Sequence, residues 1–297
     1  MTVGLNSYSK ELITIDWSLG NACNLDCTYC HHELKDGANP FPTIDKLRPA
    51  FDHLIDQCQD FSRIRLEFNG GEPTSSDALQ QVMLENTNKN IQFKLYSNGT
   101  APLSWWYQVM NCLDDLTLTY HLKSSYIDFK ELILLLRDNV NFRVNVAITP
   151  ERWFEGMDAY TQFKKIHPNV HIQLLFSNFT RGNNEYLKYS EEQWKEYYAE
   201  NQVDIYNPVE VEQTIEFKRM NNLNNFYGHL CWAGYNQIVV DNFGNVYRGW
   251  CKSGLELGNV YKQTVNLNQQ PLVCPKFQCK NGFDLQARKS ENSWGIA

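Results

Sequence analysis

Cys23-Asn-Leu-Asp-Cys27-Thr-Tyr-Cys30 sets three cysteines at x3 and x2 spacing just after a strand-like run, Leu12 to Ser18. Thiols this close in sequence suit a single metal centre. A structural zinc site takes four ligands in a tetrahedron, whereas a cubane iron-sulfur cluster held by three thiolates keeps one iron open to a cofactor or substrate. The loop alone also admits a zinc knuckle or a disulfide, so its surroundings decide its meaning.

Outward from the loop, strand and helix patterns alternate. Strand-like runs fall at Leu12 to Ser18, Arg63 to Asn69, Asn90 to Tyr96, Asp115 to His121, Asn141 to Thr149 and Val170 to Ser177. Helical patterns lie between them, near Thr43 to Asp60, Ser75 to Asn88, Leu103 to Cys112, Tyr126 to Asp138 and Trp153 to Ile166. Thr43 and Ser75 are the expected helix starts. Strands joined by helical crossovers make a parallel α/β sheet. Within the strands one face is apolar, as in Ile13, Ile15, Leu66, Leu118 and Val146. The other is polar and includes Asp16, Glu67, Lys94, Thr119, His121, Asn145, His171 and Gln173. A doubly wound sheet would be apolar on both faces and a closed eight-stranded barrel fills with aliphatics. A polar inner face instead fits an open barrel holding a polar ligand, with an antiparallel sheet wet on one side as the alternative.

The 297 residues, 42% of them hydrophobic, can hold one large or two modest domains. A formal charge of -7 gives no basic stripe for duplex nucleic acid. Residues 1–14 lack the features of a signal peptide, and no run of 18 apolar residues occurs, so a cytoplasmic protein with no membrane partner is expected. In that setting the nine cysteines read as metal ligands before disulfides.

CxxxCxxC with an aromatic residue, Tyr29, before the last cysteine resembles the signature of radical S-adenosylmethionine (SAM) enzymes. The resemblance implies a [4Fe-4S] cluster on Cys23, Cys27 and Cys30 whose open iron takes SAM. It further implies an electron donor such as flavodoxin or ferredoxin, and reductive cleavage of SAM to methionine and a 5'-deoxyadenosyl radical. The family's partial (βα)6 TIM-like barrel would cover residues 10–180. Asn69-Gly70-Gly71-Glu72-Pro73, a plain turn on its own, resembles the family's Gly-Gly-Glu motif, whose carbonyls and Glu72 carboxylate would bind the SAM ammonium. Tyr96-Ser97-Asn98-Gly99-Thr100 is a simple Asn-Gly turn or, by resemblance, a further SAM contact through Ser97 and Asn98. Thr119 and Asn145, inward near the ends of the fourth and fifth strands, are expected to add contacts. The family's Gly-x-Ile-type adenine mark has no clear equivalent in Val144 to Ile148.

After a connector at 181–225 with one helix, Ser190 to Glu200, cysteines return at Cys231, Cys251, Cys274 and Cys279 around two β-like runs joined by Asp241-Asn-Phe-Gly244. Four thiolates suit zinc or an iron-sulfur cluster. Residues 226–297, with Leu257-Gly258-Asn259, resemble the small hairpin-containing Twitch domain, a relative of SPASM, which implies one auxiliary [4Fe-4S] cluster. Two departures are the long gap from Gly244 to Cys251 and x4 between the last cysteines. Cys58 and Cys112 have no neighbour at ligand spacing and read as core residues, a hydrogen-donating thiol being the alternative. Trp105 and Trp106 read as packing. His31 and His32 trail the first loop, and His121, inward at a strand end, is the expected catalytic histidine, taking a proton or orienting a hydroxyl.

The expected enzyme is an oxidoreductase. If all four C-terminal thiolates bind the auxiliary cluster, it serves electron transfer, which favours two-electron oxidation of a sugar or cyclitol. Radical modification of a ribosomal peptide is the second expectation and a zinc-dependent interaction module the third.

Overall fold

A computed structural model gives the fold and describes residues 10–87, 90–177, 186–203, 207, 209, 210, 214, 217, 221 and 223–290. The start of the chain, the expected helix end at Asn88, much of the connector and the last seven residues lie outside these. Six strands, β1 (Leu12–Ser18), β2 (Arg63–Asn69), β3 (Ile91–Ser97), β4 (Leu113–His121), β5 (Phe142–Ile148) and β6 (Val170–Leu174), pair in parallel in chain order. Helices α1 (Ile44–Gln57), α2 (Asp77–Glu85), α3 (Leu103–Val109), α4 (Tyr126–Leu136) and α5 (Trp153–Lys164) connect them, and α6 (Glu191–Glu200) follows β6. This is the partial TIM-like barrel that the family resemblance implies, built of the parallel βα units expected from the alternation of elements.

The apolar face drives the assembly. Ile15, Leu66, Leu95, Leu118 and Val146 are fully buried, and α4 adds Phe129, Leu132, Ile133 and Leu136 to the same core, the i, i+3, i+4, i+7 stripe of an amphipathic helix. Helix starts follow hydroxyl caps: Ser76, Ser125 and Ser190 accept from the Leu79, Asp128 and Gln193 amides. The second helix therefore begins after Ser76, not Ser75, because Pro73–Ser75 is already a 3-10 turn. Thr43 stands at the N-cap of α1 without a side-chain bond. The sixth strand ends at Leu174 rather than Ser177, because the Leu175 amide donates to Tyr189 Oη (2.8 Å) and Phe176 pairs with Tyr186.

C-terminal to α6 come β7 (Leu230–Cys231), β8 (Gln237–Val240), β9 (Asn245–Tyr247), β10 (Gly258–Asn259), β11 (Leu272–Val273) and β12 (Lys289–Ser290). The expected hairpin forms between β8 and β9; Asp241 Oδ1 accepts the Phe243 and Asn245 amides, and Gly244 adopts φ +83°. It extends the barrel sheet, with β8 parallel to β1 and order β10-β9-β8-β1-β2-β3-β4-β5-β6, so the β1 edge is covered. β11, β7 and β12 make a small antiparallel sheet. Among the described residues no helix is long and apolar enough to cross a membrane.

Phe68 is fully buried between Trp17 and Phe93, whereas Phe154 is 89% exposed. Phe68→Ala is expected to cost about 3–5 kcal/mol in urea unfolding, and Phe154→Ala to stay within about 0.5 kcal/mol of the parent.

Candidate metal and cofactor site

The three-cysteine loop leaves β1 and hangs from the C-terminal ends of the neighbouring strands. At β2, Gly70 and Gly71 adopt φ +92° and +57°. A Cβ at Gly70 would overlap the Ser18 hydroxyl, and one at Gly71 the Ala22 carbonyl, so only glycine admits this approach. The Glu72 amide then donates to Ala22 O (2.8 Å), one residue before Cys23. At β3, Asn98 Nδ2 donates to Asn24 Oδ1 (2.9 Å) and lies 3.9 Å from Cys23 Sγ, and Asn24 Nδ2 donates to Thr100 Oγ1 (2.7 Å). Asn21 ties the loop's base together, donating to Glu33 O and Asp36 Oδ1 and accepting from the Asn39 amide.

Glu72 is buried, and its carboxylate is bound on both oxygens. Oε1 accepts from Ser97 Oγ (2.8 Å), Thr74 Oγ1 (2.7 Å) and the Thr74 amide (3.1 Å), and Oε2 from the Asn98 amide (2.7 Å). Burial pushes its pKa up, and these donated bonds oppose that. The side chain thus fastens the end of β2 to that of β3, with acceptor capacity left mainly on Oε2.

The thiols face a cavity of about 290 Å³ at the C-terminal ends of the strands. Cys27 is buried, and burial raises the pKa of Cys23 and lifts Cys30 to about 11. Lys35 Nζ donates to Cys27 O (2.7 Å). His121, at the end of β4, lies 3.6 Å from Cys27 Sγ and 2.5 Å from Tyr29 Oη through Nδ1. Burial lowers its pKa to about 4 and raises that of Tyr29, so a neutral phenol and a neutral imidazole meet here.

Cys23, Cys27, Tyr29, Cys30, Gly70, Gly71, Glu72, Ser97, Asn98, Thr119 and His121 all line this one cavity. Asn145 is the exception; it sits on β5 in register with Thr119 and His171 but is not part of the lining. Other lining residues were not singled out from sequence as site residues, among them Lys35, Asn69, Tyr96 and Gln173 to Phe176. Their one signal was position at strand ends, where barrel sites gather. Cys58 is core, its thiol pushed by burial to about 12, and Trp105 and Trp106 pack edge to face.

The C-terminal cysteines also gather. Cys231 on β7, Cys274 after β11 and Cys279 are buried, and Cys251 is half-buried with its amide donating to Asp284 Oδ2 (2.7 Å). The Cys274 amide bonds His229 O and the Cys279 amide bonds Asn224 O. Burial raises the pKa of Cys231 and pushes Cys279 up to about 12. Both thiol groups suit metal or cluster ligation by donor chemistry, and the first has three thiols beside open space.

No family model matches the sequence. A stretch of 69 residues is 28% identical to a "Probable GTP 3',8-cyclase" from Methanocella arvoryzae, spanning 23% of this chain and 21% of that relative. Native anSMEcpe with bound AdoMet superposes with a TM-score of 0.55 at 16% identity, over 86% of this chain and 81% of that one. Streptococcus suis SuiB bound to precursor peptide SuiA gives 0.53 at 12% identity, over 86% of this chain and 64% of SuiB. These solved structures are radical SAM enzymes, and the chain shares their fold.

Gly228 has φ +81° with nothing within 4 Å of a built Cβ, so Gly228→Ala isolates backbone strain at about 1–2 kcal/mol. Gly71→Ala adds the overlap with Ala22 and is expected to lose more stability in urea unfolding. It should also lose iron from the first cysteine group after anaerobic reconstitution, which Gly228→Ala should not.

Proposed function

We propose that this chain is a radical SAM enzyme. The observation that carries this is the convergence of three loop thiols, the Gly-Gly-Glu turn and the ends of β3 and β4 on one cavity. When bound, a [4Fe-4S] cluster and SAM would supply a 5'-deoxyadenosyl radical that abstracts a hydrogen atom from substrate. Cys23, Cys27 and Cys30 would hold the cluster. Gly70, Gly71 and Oε2 of Glu72 would receive the SAM ammonium, with Ser97, Asn98 and Thr119 along its length and Tyr29 beside it. His121 fixes Tyr29 and would orient a substrate hydroxyl. Asn145 would act only from the barrel wall.

Cys231, Cys251, Cys274 and Cys279 would hold an auxiliary [4Fe-4S] cluster in a Twitch-like segment. Among the described residues, the one group with three potential ligand atoms within 4.8 Å of each other is His31, His32 and Glu33. Full thiolate ligation leaves electron transfer as the auxiliary cluster's role, and with it a two-electron oxidation of a polar small molecule such as a sugar or cyclitol. The superposition on SuiB with its precursor peptide favours a second reading, radical modification of a peptide.

Anaerobically reconstituted protein with dithionite is expected to convert SAM to 5'-deoxyadenosine. Cys23→Ala/Cys27→Ala/Cys30→Ala should abolish this, and continued cleavage would overturn the assignment.

That triple variant should still carry about four irons on the remaining cysteine group. Mössbauer spectroscopy and metal analysis check this; one equivalent of zinc would remove the electron acceptor and the preference for oxidation.

A further inference from the structure

Arg248 follows β9 and is buried, 5% exposed. Its Nε donates to Ala233 O (2.9 Å) and its Nη2 to Leu272 O (3.3 Å). Ala233 lies two residues after Cys231, and Leu272 lies two before Cys274 and opposite Cys231 in the register of β11 on β7. The guanidinium is thus fastened to the segments that carry Cys231 and Cys274, and it belongs to the one that carries Cys251. Room for its stem is built in: Gly234 adopts φ +91°, and a Cβ there would stand 2.5 Å from Arg248 Cγ.

A guanidinium stays charged in proteins, and taking that charge out of water is costly unless an anion and hydrogen bonds compensate it. Among the described residues Arg248 has no carboxylate partner, only those two carbonyls. Of the buried carboxylates on this segment, Asp241 pairs with Lys252 (3.5 Å) and Asp284 accepts the Trp250 and Cys251 amides. A second cation, Lys289, stands opposite Cys231 on β12, and its Nζ donates to two carbonyls, Asp284 O and Ala287 O. The charges of Lys289 and Arg248 oppose the rise that burial gives the Cys231 pKa. Two cations without carboxylate partners thus flank a group of thiols, and thiols turn anionic when they bind a metal.

We propose that Arg248 is a positioning residue for electron transfer, whose fixed charge stabilises the reduced state of the C-terminal centre and makes that centre an acceptor. This rests on the auxiliary-cluster reading above. Reduction adds one negative charge to a centre that already carries those of its thiolates, and a buried cation favours the added charge, the more so in a low dielectric. In the oxidation proposed above, a hydroxyl-bearing carbon radical becomes a carbonyl as it gives its proton to water and its remaining electron to this centre. A higher potential favours that transfer.

The test is a potentiometric titration, followed by EPR, of full-length protein reconstituted on the Cys23→Ala/Cys27→Ala/Cys30→Ala background, where the second thiol group alone remains. Arg248→Gln is expected to lower the equilibrium constant for one-electron reduction about tenfold or more, a fall of about 59 mV or more in midpoint potential. Arg248→Lys, which keeps the charge and loses the fork, should leave the potential near the parent value, as should Arg288→Gln, which removes the exposed cation beside Lys289. A potential unchanged in Arg248→Gln, or lowered as much by Arg248→Lys or Arg288→Gln, overturns the proposal. Should Arg248→Gln take up no iron, the lysine variant decides: iron at the parent's potential upholds the role of the charge, and iron lost there too makes Arg248 only a tie between β7 and β11. Metal analysis of the background protein keeps the two claims apart. Zinc or no iron there removes the auxiliary cluster and this inference with it, whereas about four irons at a potential indifferent to Arg248 leaves the cluster and removes the inference alone.

Discussion

The bond from the Glu72 amide to the Ala22 carbonyl, 2.8 Å long, is the point from which the site is hung. It exists only because two glycines in left-handed conformations let the end of β2 come against the backbone of the cysteine loop. The loop has little regular structure of its own, so its position is borrowed from the sheet. Asn98 and Thr100 repeat the arrangement from β3 through Asn24. Glu72 links the two supports through four donated hydrogen bonds, and the loss of its carboxylate would loosen both at once. A residue expected to act on a cofactor is therefore also a structural tie, and only measurements that separate binding from stability can apportion the two.

Asp16 extends this dependence to the C-terminal segment. On the inner face of β1, its Oδ1 accepts from Asn69 beside the glycine turn, and its Oδ2 accepts the Trp250 indole N–H (2.6 Å). Trp250 and Cys251 donate their amides to the two oxygens of Asp284. A chain of buried hydrogen bonds thus runs from the support of the first cysteine loop to Cys251. With β8 in parallel register along β1, it orients the second thiol group relative to the first.

Sequence periodicity carried the barrel because its two faces differ so sharply: every second strand residue packs on helices, and a one-residue slip would expose the whole apolar set. The site residues at β2, β3 and β4 were legible for a related reason. Gly70, Gly71 and Asn98 are residue types with few uses at a strand end. Strand ends were less legible where tertiary contacts set them, as at Leu175, whose amide is claimed by Tyr189 from further along the chain. Lys35 gave no signal, because a lysine in a loop is ordinarily solvated and its bond to Cys27 O depends on how the loop closes. Asn145 faces inward as its strand position requires, but alternation says nothing of height along the barrel, and the cavity stops short of it. The hairpin was recognisable from Asp241 to Gly244; its pairing with β1 was not, since nothing local in β8 names its partner.

The polar inner face also divides into parts with different capacities. Below the cavity, Lys94 lies between Glu67 (3.7 Å) and Asp115 (3.4 Å), and Tyr96 Oη donates to Glu67 (2.7 Å). Buried Glu67 with half-buried Lys94 and Asp115 makes a paired charge layer that is costly to break by removing one partner. Tyr96 consequently offers the cavity its ring and keeps its hydroxyl for that layer. Gln173 differs: its Oε1 is buried without a hydrogen-bond partner among the described residues, and it lines the cavity. An unmet buried acceptor costs free energy until a donor reaches it. Gln173 thus sets an unmet polar acceptor on the β6 wall of the cavity, across from Thr119 on β4, while the Glu67 and Asp115 carboxylates are engaged by Lys94 and Tyr96.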